Sequence, residues 1–354
     1  MSFNPMRFSI ARKRRLLNKK RLAELADVAQ HTVVRCEKGE TEPTRENVET
    51  FSRVLKFPIG FFYGNDLDEP ESASFRSQTT MSAAIRDASL AAGALGFMVS
   101  DWVEERFSLP TIRVPDLRLY EPEEAARILR TEWQLGERPV SNMLHLLESK
   151  GIRVFSLAEN TVKVNAYSIW RNGKPYVFLN NHKSAESSRF DAAHELAHLV
   201  LHQDGASTGR VAEDQANRFA SAFLMPHADV LAVIPRVVHL GQIVKAKSRW
   251  RVSVTALTYR LHKIGMMTDW KYRDLCIEIS TKGYHREEPI PIERERSVVW
   301  QKVLRALWVE KTTQAHIARD LCLPEEEVNG LIFGVAGEIH DRPSAPAPLS
   351  IVTN

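Results

Sequence analysis

Apolar residues in the first 63 positions fall into short blocks at helical spacing, separated by polar breaks. The blocks predict five short helices: residues 8–17, basic and amphipathic; 19–26; 30–38, stopped by Gly39; 45–55, behind a Thr44 cap; and 59–63, opened by Pro58. Leu22, Ala23, Val28, Val33, Cys36, Val48, Phe51, Leu55 and Phe62 suit one small helical core. Residues 65–77 read as a polar, acidic linker, and the Ala-rich stretch 79–107 as a connecting helix or helix pair. Leu109-Pro110 to Pro115-Asp116 is extended and leads to helices over 123–133 and 140–149. From Gly151 the texture changes. Residues 152–155, 166–170 and 176–179 are β-rich runs, with Arg171-Asn-Gly-Lys174 as a hairpin turn between the last two.

The stretch after these strands, residues 190–200, lacks Gly and Pro and contains His194-Glu195-Leu-Ala-His198, an H-E-x-x-H pattern. Helical positions four apart lie about 40° apart and one turn up, so both imidazoles aim at one point. That arrangement suits zinc, with Glu195 placed to act on a water at the metal. The bland alternative is a half-buried helix with two satisfied histidines, and the pattern alone is too short to decide. A catalytic zinc wants one more protein ligand. Downstream, residues 211–224 form an amphipathic helix stopped by Pro226, with Ala212, Ala216, Phe219, Ala220 and Phe223 inward. Glu213, Asp214 and His202 compete for the place. His202 reads better as a supporting or surface residue, since three side chains of one helix do not easily converge on one ion.

Past Pro226 the pattern is helical again, over 245–265 and 298–333. The second stretch, with Thr313-Gln314, Ile317-Ala318, Leu321 and Leu323-Pro324, echoes a helix-turn-helix rhythm, although plain core helices explain it and are the preferred reading. Glu293-Arg-Glu-Arg296 reads as a solvated face, and the Pro-rich end from about Asp341 as disordered.

Composition changes the picture in two places. Net charge is +4 over 354 residues, but residues 1–65 hold 13 Lys/Arg against 7 Asp/Glu, which is +6 and leaves −2 for the rest. Such asymmetry points to an N-terminal module that meets a polyanion. Cys36, Cys276 and Cys322 are odd in number and scattered, which suggests a reduced, cytoplasmic protein without a disulfide framework. No apolar run follows the basic start. The longest, residues 88–99, is too short for a bilayer, so no membrane partner is expected.

Two resemblances follow. Leu22-Ala23, Val28, Val33, Glu37-Lys-Gly39, Pro43 and the closing Phe57-Pro58…Phe61-Phe62 resemble the XRE/Cro-type helix-turn-helix family. The chain departs from it with Asn18-Lys19 for the usual Thr-Gln, Asp27 for the turn Gly and Ala29 for the Ser cap. If the second helix of the pair enters a major groove, Gln30, His31 and Arg35 reach base edges, and Lys19, Lys20, Arg21 and Lys38 reach phosphates. Residues 133–226 resemble the ImmA/IrrE family of metallopeptidases, through Leu147-Glu-Ser-Lys-Gly-Ile152, Arg189-Phe190…Ala193-His-Glu-Leu-Ala-His198…Leu201-His202 and Glu213…Ala216-Asn217-Arg-Phe-Ala220…Leu224-Met-Pro226. The family often has an acid where this chain has Gln215. The resemblance implies zinc (Zn2+) held by His194, His198 and Glu213, a gluzincin-like set, with Glu195 as general base. For oxyanion stabilisation Tyr167, His182 and His202 are candidates.

The expected fold is mainly α with a small β-sheet (α+β): an N-terminal five-helix XRE-type domain (1–65), a linker with connecting helices (66–120), a zincin-like H-E-x-x-H metallopeptidase domain (121–230), a helical C-terminal region (231–340) and a disordered tail (341–354). The implied function is a cytoplasmic DNA-binding transcriptional regulator fused to a zinc endopeptidase. It would cleave a repressor-like or antitoxin-like protein, or itself, in a stress or mobile-element response. Its partners would be a double-stranded operator, that protein substrate and a second copy in a homodimer. The alternative is a repressor whose zinc domain senses or docks without turnover.

Overall fold

The computed structural model describes residues 2–70, 82–157, 166–203, 209–237 and 239–336. The expected disordered tail and much of the expected acidic linker fall outside these residues. The chain is mainly helical with one three-stranded sheet, and it divides into two compact units.

The first unit comprises Met1–Leu109, Phe155–Asn165 and Ser297–Asn354. It opens with α1 (Pro5–Arg14), α2 (Lys19–Ala26), α3 (Gln30–Glu37), α4 (Arg45–Leu55) and a 3-10 turn, Ile59–Tyr63. Helix α1 starts three residues before the expected 8–17 and ends three short of it. Asn4 accepts from Arg7 N and Pro5 supplies a ready helical φ, while Leu16 takes a left-handed conformation that stops the helix. Asp27 ends α2 at φ +52°, a conformation Asp tolerates. Helix α3 has no side-chain cap at Ala29, as its sequence implied. The fully buried rings of Phe8, Phe51, Phe57, Phe61 and Phe62 fill the core. Residues 79–107, where described, form a single helix, α5 (Ala83–Glu104), capped by Ser82 and packed against α1. Its small residues from Ala88 to Gly96 are all buried.

The second unit comprises Pro110–Val154 and Ala166–Arg296. It contains α6 (Pro122–Glu132), α7 (Met143–Ser149), β2 (Tyr167–Arg171), β3 (Lys174–Leu179), α8 (Ala185–Leu201), α9 (Arg210–Leu224), α10 (His227–Val233), α11 (Leu240–Trp250), α12 (Val254–Lys263) and α13 (Asp269–Thr281). Strand β1 (Arg153–Ser156) bridges the division, and the sheet order is β1-β3-β2. The β2–β3 hairpin pairs Trp170 with Pro175 and turns at Asn172-Gly173, both at positive φ, which is what the Asn-Gly sequence predicts. Helix α8 packs on β2 and β3 on one side and on α9 on the other.

One expectation holds only in part. In Glu293-Arg-Glu-Arg296 the two end residues are exposed, but Glu295 is 7% exposed and its partner Arg189 only 1%. The two form a buried ion pair, and Glu295 Oε2 also accepts from the Met143 and Leu144 amides at 2.7 and 3.3 Å. Arg294 donates to the Lys183 carbonyl. A carboxylate at the start of α7 meets unpaired amides and the positive end of the helix, which helps offset its desolvation. Nearby, fully buried Lys247 is held by Glu186 and Glu288, each at 3.2 Å.

The chain then re-enters the first unit with α14 (Val298–Val309), α15 (Gln314–Asp320) and α16 (Glu325–Ala336). Helix α16 packs on α14, α15 and α5. No helix among the described residues is long and apolar enough to cross a membrane.

Candidate metal centre

Helix α8 begins at a Ser184 cap and buries Ala192, Ala193, Leu196, Ala197 and Val200 completely. This apolar stripe fixes the helix's rotation and leaves His194 and His198 half-buried on the side facing α9. Their Nε2 atoms lie 3.2 Å apart. Glu213, in the first turn of α9, brings Oε2 to 3.4 Å from His194 and Oε1 to 3.6 Å from His198. One ligand atom from each of the three residues lies within 4.8 Å of the others, and this is the one such group of three or more His, Cys, Asp or Glu among the described residues. The geometry thus joins the two histidines to Glu213 and leaves Asp214 out.

Hydrogen bonds engage the Nδ1 atoms of both histidines and leave both Nε2 atoms to the cluster. His194 Nδ1 faces Asn217 Oδ1 at 3.1 Å and donates to it. His202 Nε2 faces Gln215 Oε1 at 2.9 Å and donates there, so its Nδ1 accepts from His198 Nδ1, also at 2.9 Å. With the Nδ1 atoms so engaged, both Nε2 atoms are left turned on each other beside the Glu213 carboxylate, an arrangement that a cation between them would satisfy. Two nitrogens held tetrahedrally by one zinc at about 2.05 Å stand roughly 3.3 Å apart, so the observed spacing fits the ion. Burial and the neighbouring His198 hold the His202 imidazole down to about 4, keeping it neutral and able to accept. His194 is pushed up despite its burial, by its hydrogen bond to Glu213 and the charges of Glu195, Glu213 and Asp191.

Glu195 is 5% exposed and its Oε2 accepts from Ser168 Oγ at 2.7 Å. Burial raises the Glu195 carboxyl above the usual range, against the pull of His198, His194 and Ser168. Ser168 was missed in the sequence. It lies on β2, and two residues on, Trp170 Nε1 donates to the Leu199 carbonyl at 3.1 Å, so that face of the strand rests on α8. A polar residue on a helix-facing strand position was the available signal. Of the oxyanion candidates, Tyr167 is 1% exposed and stacked on Phe178, His202 is committed to His198 and Gln215, and His182 sits in the turn before α8.

Of the residues expected at a DNA interface, Gln30, His31, Arg35 and Lys38 are exposed on or just after α3, and Lys20 and Arg21 on α2. Some are engaged within the chain: Arg21 with Glu24 at 2.9 Å, Lys38 with Glu40 at 3.4 Å and Arg35 with Glu40 at 3.9 Å. Lys19 is half-buried and lies 3.0 Å from Glu37, which also binds Arg12.

Residues 147–262 match the family model of the IrrE N-terminal-like domain, Peptidase_M78. The match takes in α8 and α9 with all three candidate ligands, continues through α12 and covers about a third of the chain. No curated protein matches the chain.

Proposed function

We propose that this protein is a zinc endopeptidase of the gluzincin-like ligand type, joined to a helix-turn-helix module that binds double-stranded DNA. The peptidase half rests on one observation above the rest: His194, His198 and Glu213 converge, with the two histidine Nε2 atoms 3.2 Å apart and each within 3.6 Å of a Glu213 oxygen. The metallopeptidase-like domain matched at 147–262 agrees with it. Zinc bound there supplies Lewis acidity toward a peptide carbonyl and toward water. The chain's own residues do the rest. Glu195 takes a proton from water and returns it to the leaving amine, and Ser168 holds that carboxylate in place. Strand β2, at the sheet edge and packed on α8, is a surface along which an extended peptide can lie. The substrate is a repressor-like or antitoxin-like protein, or the chain itself.

Metal analysis of the purified full chain is the first test. The wild type is expected to carry about one zinc per chain, and His194→Ala or Glu213→Ala to lose it through dialysis against a mild chelator. A wild type that holds no zinc after reconstitution sinks the peptidase reading.

The DNA half rests on the exposed Gln30, His31 and Arg35 on the helix following a left-handed Asp27 turn, in an N-terminal stretch with a net charge of +6 over residues 1–65. Arg35→Ala is expected to weaken operator binding at least tenfold, in line with about 1–3 kcal/mol for a base contact. Unchanged binding in a gel-shift titration at fixed salt would remove α3 as the reading helix.

A further inference from the structure

We infer that residues 300–333 are a second copy of the module formed by residues 5–38, with its reading helix turned from a nucleic-acid surface into a clasp on the first copy. Each chain therefore presents a single reading helix. Only this last point rests on the DNA reading of α3; the duplication and the clasp do not.

The two segments superimpose in numbering without a gap. Adding 295 to a residue number carries Leu16 to Lys311 and Asp27 to Cys322, and all four are left-handed, at φ +55°, +57°, +52° and +52°. Non-glycine residues rarely adopt that conformation, so a matched pair eleven residues apart in both segments is specific. The closing hydrogen bonds repeat as well. Leu17 N to Arg12 O (3.3 Å) recurs as Thr312 N to Leu307 O (2.8 Å), and Val28 N to Ala23 O (3.0 Å) as Leu323 N to Ala318 O (2.7 Å). So does the core: Leu22, Ala23, Val33 and Cys36 correspond to Ile317, Ala318, Val328 and Leu331, every one buried. Where the first copy joins α1 to α3 by the Arg12–Glu37 ion pair, the equivalent residues are Leu307 and Ile332, both buried and apolar. An ionic brace has been exchanged for an apolar one at the same place.

The copies differ on the face that would read DNA. Gln30, His31, Thr32 and Arg35 of α3 correspond to Glu325, Glu326, Glu327 and Gly330 of α16. Three carboxylates at that helix start repel phosphate, and Gly330 has no side chain to reach a base. The surface is also occupied. Glu327, its side chain 3% exposed, is gripped by Arg14 at 2.9 Å and Arg15 at 2.6 Å, and Glu326 pairs with Arg15 at 2.7 Å. Ser156 Oγ donates to the Gly330 carbonyl. The Cys322 turn presses on the 3-10 turn Ile59–Tyr63 that follows the first copy: a Cβ added at Gly60 would stand 2.9 Å from Cys322 Sγ. Helix-turn-helix proteins usually bring two equivalent reading helices to two half-sites. Here the second has been spent on holding the first unit together.

Hydrogen exchange on the full chain tests this. Glu327→Gln is expected to raise amide exchange at least tenfold in both 5–15 and 325–336, and unchanged exchange there overturns the clasp. If that variant does not fold, Glu326→Lys, at an exposed site, is expected to speed exchange in 325–336 about threefold, with no change again overturning it. Adding a mixed-sequence 30-base-pair duplex is expected to protect 30–38 and leave 325–336 unaffected. Protection of 325–336 overturns the conversion of α16. Protection of neither removes the DNA reading of α3 and the single reading helix with it, and the clasp still stands or falls on the variants.

Discussion

Glu195→Gln is expected to reduce peptide cleavage by about 10²–10⁴-fold while leaving bound zinc unchanged. Glutamine keeps the size and the acceptor oxygen that Ser168 Oγ meets at 2.7 Å, so the α8–β2 contact survives. What is lost is the ability to take and return a proton. The ligands are untouched, because Glu195 is absent from the cluster formed by His194, His198 and Glu213. Metal content and turnover are measured on one sample, with a substrate trapped by the inactive variant during co-expression and then cut by wild type. Retained zinc with full activity would dismiss Glu195 as the base. A wild type that holds zinc but cleaves neither itself nor any co-expressed partner would favour the reading in which the zinc domain senses or docks.

Arg189→Leu is expected to destabilise the second unit by about 3–5 kcal/mol, because it leaves Glu295 buried without its cation. Glu295 is 7% exposed and keeps its bonds to the Met143 and Leu144 amides, which stabilise the carboxylate only in part. Adding Glu295→Leu to Arg189→Leu is expected to recover much of the loss, since replacing both partners of a buried pair by apolar residues is often near neutral. Chemical denaturation of the four members of this cycle gives the coupling directly. A loss under about 1 kcal/mol for the single variant would show that the pair is not a brace.

The two halves of the metal centre were legible to different degrees, for reasons of distance along the chain. His194 and His198 declare themselves because four residues on a helix make one face, a purely local rule. Glu213 lies one helix away, and residue pattern demoted His202 but did not decide between Glu213 and Asp214; only resemblance chose Glu213, and the geometry agrees. The partners that fix proton positions are more remote still. Ser168 is 27 residues from Glu195 and Asn217 is 23 from His194, with no periodicity linking them. Glu295 was misread because alternating charge looks like a solvated surface. An extended segment, however, turns alternate residues to opposite sides, and the buried side held Arg189 106 residues away. The helix-turn-helix rhythm at 313–324 was visible but indecisive, since apolar spacing alone cannot distinguish a repeat from ordinary core helices. The paired left-handed residues, visible only in the backbone, make the difference.

The first unit is assembled from both ends of the chain, with α5 packed between α1 and α16. During synthesis this means a wait. Helix α5 leaves the ribosome able to pack on α1, but its side toward α16 stays uncovered until Ala336 has been added, 232 residues after Glu104. At about 5–20 residues per second that interval is roughly 10–50 s, long on the scale of helix formation and collapse. The second unit is made and can close within it. The nascent N-terminal helices therefore spend their first moments as an incomplete body, and a message truncated anywhere before α16 yields a product in which α5 keeps α1 but lacks the cover of α16.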